Sequence, residues 1–205
     1  MISVKGRRIG SSSLAQTVSV LRAGGVAVFP TDTVYGIGAS IFRPQAIREI
    51  YRLKGRSYKK PLPFLVAGLK QALALVEPPE TRLRRLLHAY WPGPLTVVFN
   101  TSSLGRWATG GKDTLALRIP AHPVALAILR EMGQPLAVTS ANRSGDPEAV
   151  SGKEAEILFG GRVDLLVNAG RCPVGIPSTV LDVSSTHWTL VREGAIKKKE
   201  LMKYL

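Results

Sequence analysis

Val26-Ala27-Val28-Phe29-Pro30-Thr31-Asp32-Thr33-Val34-Tyr35-Gly36 carries two messages in one run. Its first half is a compact apolar stretch closed by proline, which reads as a buried strand ending at Thr31. Its second half sets two hydroxyls and a carboxylate directly after that strand, the place where α/β proteins gather their ligands. The same Pro/Asp/Gly composition also suits a plain turn, and local sequence leaves both readings open.

Working outward, helical and strand patterns alternate. From Pro44 the apolar residues Ile47, Ile50 and Tyr51 recur at helical spacing, with Arg48, Glu49 and Arg52 on the other side. Pro44 suits the first turn of that helix and Gly55 its end. Further strands are expected at 63–66, 95–99, 115–119, 136–138, 163–167, 180–183 and 188–191. Further helices are expected at 69–75, 81–90, 124–131, 153–158 and 197–204. Ser151-Gly152-Lys153-Glu154 is a capping box that marks one helix start. Strands interleaved with helices argue an α/β fold with a mixed or parallel sheet.

The chain has 205 residues, 45% of them hydrophobic and 20% charged, which excludes a disordered or collagen-like class. With no repeat, linker or composition shift, residues 1–205 read as one domain. The first thirteen residues are polar and basic, and no apolar run is long enough for a signal sequence or a membrane span, so a cytoplasmic protein without a membrane partner is expected. Lys and Arg number 28 against 14 Asp and Glu, a formal charge of +14 that attracts phosphates and nucleic acid. The single Cys172 allows no internal disulfide, and His88, His122 and His187 are scattered, so no metal ligands are identified.

Familiar catalytic motifs are absent. In Gly105-Arg106-Trp107-Ala108-Thr109-Gly110-Gly111-Lys112-Asp113, Gly111 stands where a phosphate loop needs lysine. Cys172 beside Pro173 has no histidine near it in sequence and reads as an inert thiol. What stands out is polar and basic residues at the ends of apolar runs. Lys54 and Arg56 flank Gly55, where they can share a cavity and hold phosphate oxygens. Arg118 sits inside the strand Leu115-Ala116-Leu117-Arg118-Ile119, where a cation needs either an anionic ligand or a buried Asp partner. Ser140-Ala141-Asn142, Ser178-Thr179 and Arg192 close further apolar runs. Hydroxyl-bearing loops and cations without a nucleophile suit a site that binds an anionic nucleotide and positions reactants.

Taken together, these landmarks resemble the YrdC-like threonylcarbamoyl-AMP synthases. The ordered set is Gly24-Gly25, Thr31-Asp32-Thr33-Val34-Tyr35-Gly36, Lys54-Gly55-Arg56, Lys60-Pro61-Leu62, Trp91-Pro92-Gly93-Pro94-Leu95-Thr96, Arg118-Ile119-Pro120, Ser140-Ala141-Asn142 with Ser144-Gly145, Ser178-Thr179-Val180 and Arg192-Glu193-Gly194. It spans about residues 15 to 196. The resemblance implies a twisted mixed sheet flanked by helices around a basic concave cavity, in the short form of the family. It implies a nucleotidyltransferase that joins L-threonine, bicarbonate and ATP into threonylcarbamoyl-AMP and pyrophosphate, for the threonylcarbamoyladenosine of tRNA, with Mg2+ beside the ATP and downstream tRNA transfer machinery as partner. Thr33, Leu65, Arg118, Val138 and Ser178 match the threonine positions. Arg56, Lys60, Thr114, Ser140, Asn142, Glu148 and Arg192 match nucleotide positions. Lys54, Arg56 and Arg118 are the expected catalytic residues. Glu148 departs from the small hydroxyl residue of the family pattern, so its carboxylate has to face ribose or base rather than phosphate.

Two alternatives stay open. Arg82, Arg84 and Arg85 on one helix, with the Lys197-Lys198-Lys199 run, suit an RNA-binding module, or weak tRNA binding by the enzyme. A relative that carbamoylates another acceptor is the third reading.

Overall fold

The computed structural model describes residues 2–4, 7–9 and 14–204. In chain order the elements are β1 (Ile2–Val4), β2 (Arg7–Ile9), α1 (Leu14–Ala23), β3 (Ala27–Phe29), β4 (Gly36–Ser40), α2 (Pro44–Lys54), β5 (Phe64–Leu65), α3 (Leu69–Ala74), α4 (Thr81–Tyr90) and β6 (Leu95–Asn100), followed by α5 (Ser103–Ala108), β7 (Thr114–Arg118), α6 (Pro123–Met132), β8 (Leu136–Ser140), α7 (Gly152–Phe159), β9 (Leu165–Val167), β10 (Thr179–Asp182), β11 (Thr189–Arg192) and α8 (Lys198–Leu201). The strands form one mixed sheet in the order β11-β10-β6-β7-β5-β8-β4-β3-β9-β1-β2. Parallel pairs (β3 with β9, β5 with β7, β6 with β10) stand among antiparallel ones, a mixed sheet as the interleaved pattern led us to expect.

Side-chain alternation gives the sheet two different faces. On β6, Leu95, Val97 and Phe99 enter the larger core, as do Leu115 and Leu117 of β7 and Leu181 of β10. Helices α2 and α4 cover that face with Ile50, Tyr51, Leu86 and Leu87. Each such fully buried side chain contributes roughly 1.5–3 kcal/mol. A second core lies on the opposite face, where Val18 and Leu21 of α1 and Ile128 and Leu129 of α6 pack on Phe29, Leu65, Leu136 and Val138. Past these two helices the same face, on β5, β7, β6 and β10, lines a cavity instead of a core.

Helix α2 starts with Pro44 and ends at Gly55, whose φ of 60° lies in the left-handed region and whose N–H reaches Arg52 O. At α7 the Ser151 hydroxyl accepts from Glu154 N, while the Glu154 carboxylate accepts from Val150 N, one residue before the cap. Strand β4 was not expected, because Gly36-Ile37-Gly38-Ala39-Ser40 has poor strand propensity. Its glycines are explained by Val138 on β8. A Cβ at Gly36 or Gly38 would lie 2.8 or 2.9 Å from a Val138 methyl. Strands β1 and β2, helix α1 and helix α5 were not expected either. The last helix is shorter than the 197–204 expected, with its regular turn confined to α8.

Candidate functional site

A cavity of about 330 Å³ opens on the second face of the sheet. The alternation that buries Val97 and Leu117 turns Thr96 and Val98 of β6, and Ala116 and Arg118 of β7, to the opposite side, where they line it. Arg118 therefore stands in an apolar strand because its face of that strand borders the cavity.

Arg118 is 6% exposed, and the structure shows what compensates it. Its Nη2 donates to Asp32 Oδ1 at 2.6 Å, Nη1 to Thr33 Oγ1 at 2.8 Å and Nε to Gly93 O at 2.9 Å. Asp32 Oδ1 also accepts from Ala121 N, whereas Oδ2 is buried without a hydrogen-bond partner. The buried Asp partner is thus realised, and the turn after β3 supplies it. Burial pushes the Arg118 guanidinium down, and the Asp32 charge opposes that shift. Thr31, Thr33 and Pro61 also line the cavity, as do Thr139 and Ser140 at the end of β8.

At the rim, Arg56 donates to Lys60 O at 3.1 Å and Pro61 O at 3.2 Å, and Arg192 donates to Ser178 O at 2.8 Å. Both guanidinium groups border the cavity. Their partners are carbonyls and, for Arg192, also the Ser178 hydroxyl at 3.3 Å, which take hydrogen bonds but do not cancel charge. Burial lowers both, most strongly among their causes. Ser178 and Thr96 share a hydroxyl pair at 2.8 Å.

All five residues matched to threonine (Thr33, Leu65, Arg118, Val138 and Ser178) come together on the cavity wall, with Arg56, Ser140 and Arg192 of the nucleotide set. Lys54, Lys60, Thr114, Asn142 and Glu148 do not. The Lys54 side chain, expected to share the cavity and hold phosphate, is not on the cavity wall in this structure. Its Nζ donates to Ser140 O at 2.5 Å, Asn142 O at 2.8 Å and Asn142 Oδ1 at 2.8 Å. With three N–H groups committed, Lys54 holds the Ser140–Asn142 turn from behind. Asn142 shares that role, receiving Ser140 Oγ on its Oδ1 and donating to Asp146 O. Lys60 is exposed and offers its backbone carbonyl to Arg56. Thr114 shares the Ala116 and Arg118 face of β7 but sits at its exposed far end. Glu148 is half-buried, and its charge favours the protonated forms of Lys54 and Arg192.

Sequence reasoning placed the Thr31 hydroxyl at the strand end without giving it a binding role, and it did not assign Thr96 to the site. The signal for Thr96 was there, a hydroxyl residue between Leu95 and Val97 of a half-buried strand. Cys172 is buried, and burial raises its thiol to about 11, so it is not an activated nucleophile. Among the described residues no three His, Cys, Asp or Glu side chains converge on a metal position, and no helix is long and apolar enough to cross a membrane.

A model of the Sua5/YciO/YrdC family, described as Telomere recombination, matches residues 19–194. The chain belongs to this family. A Bacillus subtilis protein named threonylcarbamoyl-AMP synthase is 36% identical over 190 residues, covering 92% of this chain and 55% of the relative. A Coxiella burnetii protein of the same name is 32% identical over 173 residues, covering 84% of this chain and 93% of the relative. The crystal structure of Pyrococcus abyssi Sua5 complexed with L-threonine superposes with a TM-score of 0.88 at 34% identity, over 97% of this chain and 59% of that one. The chain therefore spans somewhat over half the length of the Bacillus and Pyrococcus proteins.

Proposed function

We propose that the cavity joins L-threonine, bicarbonate and ATP into threonylcarbamoyl-AMP and pyrophosphate. The observation that carries this reading is the guanidinium of Arg118, held on the cavity wall by Asp32, Thr33 and Gly93. A guanidinium has five N–H donors, and three are committed, so two remain for a carboxylate. The Asp32–Arg118 pair has no net charge, which suits a zwitterionic amino acid. Among the described residues Arg56 and Arg192 face no carboxylate within ion-pair distance, and they suit a triphosphate. Relatives named for this activity, and one captured with L-threonine, support the substrate assignment.

The chemistry asks the chain to position and to shield. The threonine amine adds to bicarbonate with loss of water, forming a carbamate. A carbamate oxygen then attacks the α-phosphorus of ATP, and pyrophosphate leaves. Holding three reactants in one cavity converts encounters into an oriented reaction, and the rim cations oppose the charge that builds on the leaving group. Magnesium normally accompanies ATP. Among the described residues no three His, Cys, Asp or Glu side chains form a protein cage, so the ion fits as part of the incoming triphosphate. We further propose that the product passes to the enzymes that modify tRNA. Weak RNA binding would use the basic face where α8 meets α4 through Tyr90 Oη and Glu200 O, 3.4 Å apart.

The test is pyrophosphate release with ATP, magnesium, threonine and bicarbonate, omitting each in turn and weighing the adenylate product by mass spectrometry. Release that needs both threonine and bicarbonate is expected. Cys172→Ala should retain synthesis, and its loss would point to covalent chemistry.

A further inference from the structure

The hydroxyl chain beside Arg118 has a fixed direction. Thr31 Oγ1 lies 2.7 Å from Val34 O, and since a carbonyl only accepts, the Thr31 proton is committed there. Thr31 Oγ1 and Thr33 Oγ1 are 3.0 Å apart, so Thr33 must be the donor in that pair. Thr33 N completes the set by donating to Thr31 Oγ1 at 3.2 Å. Thr31 has then used its one proton and both lone pairs, and has nothing left for a ligand although it lines the cavity. Thr33 Oγ1 has given its proton to Thr31 and accepts from Arg118 Nη1 at 2.8 Å. One acceptor position remains on it.

We propose that Thr31 is a positioning residue that locks the Thr33 hydroxyl as a pure acceptor, and that this acceptor reads an N–H of the substrate α-amine. This rests on the proposed binding of L-threonine with its carboxylate on Arg118. The α-amine is attached next to that carboxylate, and Thr33 is hydrogen-bonded to the same guanidinium. An acceptor there suits ammonium, free amine and carbamate alike, because each retains an N–H through the reaction. It rejects a ligand that needs a donor at that point.

The test compares equilibrium binding of L-threonine and of (2S,3R)-2,3-dihydroxybutanoate, in which a hydroxyl replaces the α-amine, by calorimetry without ATP. The analogue can accept as well as donate; the ammonium can only donate. Thr31→Val frees the Thr33 proton to turn toward the ligand. We expect it to weaken threonine about tenfold, the scale of a hydrogen bond to a charged group, and the analogue much less. Thr31→Ser retains the hydroxyl and should bind both as the unaltered protein does. Equal losses for both ligands in Thr31→Val, or the same loss in Thr31→Ser, would overturn the proposal. Should Thr31→Val not fold, the unaltered protein still decides with (R)-3-hydroxy-2-oxobutanoate, whose α-carbonyl can only accept: affinity equal to that for threonine is incompatible with a fixed acceptor. No threonine binding to the unaltered protein would overturn the substrate assignment itself, and this inference with it.

Discussion

The floor and the rim of the cavity hold their cations in opposite ways. On the floor, Arg118 is buried with a carboxylate 2.6 Å away and three of its N–H groups bonded inside the fold. At the rim, Arg56 is half-buried and Arg192 exposed, and both are steadied by uncharged oxygens, carbonyls and, for Arg192, the Ser178 hydroxyl. The floor is therefore a neutral, preorganised surface whose geometry is tied to stability. The rim holds positive charge that a polyanion can neutralise without disturbing the core. Under the proposed function, one cavity would separate recognition of a zwitterion from recognition of a triphosphate.

The largest effect that breaks this contrast is expected from Asp32→Ala. It leaves the Arg118 charge buried and uncompensated, at a cost of about 3–5 kcal/mol. Urea denaturation should show that loss, and synthesis should disappear with it. The double change Asp32→Leu with Arg118→Met removes both charges and should recover most of the stability while synthesis stays absent. A double variant as unstable as the single one would mean that charge compensation is not what the pair supplies.

Arg192→Ala should behave differently. Its carbonyl partner can turn to water, so stability should change by less than about 0.5 kcal/mol. The KM for ATP should rise about tenfold or more, as one charge-assisted bond to phosphate is worth roughly 1.5–3 kcal/mol, while threonine affinity holds. Initial rates against each substrate measure both. If the KM for threonine rose as much as that for ATP, floor and rim would not be separable.

How much of this was legible in the sequence follows the same division. Strands β6, β7 and β10 announce themselves because one face is continuous core, and their bounds fall within a residue or two of expectation. The anomaly of Arg118 in its strand was readable as a cation in need of an anion. Its partner was not, because Asp32 is 86 residues away and only the folded sheet brings the two together. Strand β4 was hidden for a packing reason, since its glycines make room for Val138 on a neighbouring strand. Where the Lys54 side chain goes was not legible, because its spacing from Arg56 suggested a shared target. Ending α2 in a left-handed turn at Gly55 sends the two side chains to different places, Lys54 to the turn after β8 and Arg56 to the loop carbonyls of Lys60 and Pro61.

Lys54 gives the smallest effect and the sharpest test of that distinction. It is 2% exposed, and burial, with Arg56 nearby, lowers its pKa from 10.5 to about 8. An unfolded lysine holds its proton up to about 10.4. Between these limits the unfolded chain binds more protons than the folded one, so raising the pH favours folding. Below pH 8 both states are protonated and the burial cost of the charged lysine is carried in full. Urea denaturation from pH 7 to 10 should therefore show a stabilising slope attributable to Lys54 that begins near pH 8. Lys54→Met, which has no proton to lose, should flatten it. Activity should run the other way, because a neutral amine has two N–H groups for the three acceptors that hold the Ser140–Asn142 turn. The KM for ATP should then rise modestly above pH 8, since Ser140 of that turn borders the cavity. A stability slope with no change in KM would make Lys54 a support of the fold alone, and a change in KM with no slope would return it to the phosphate.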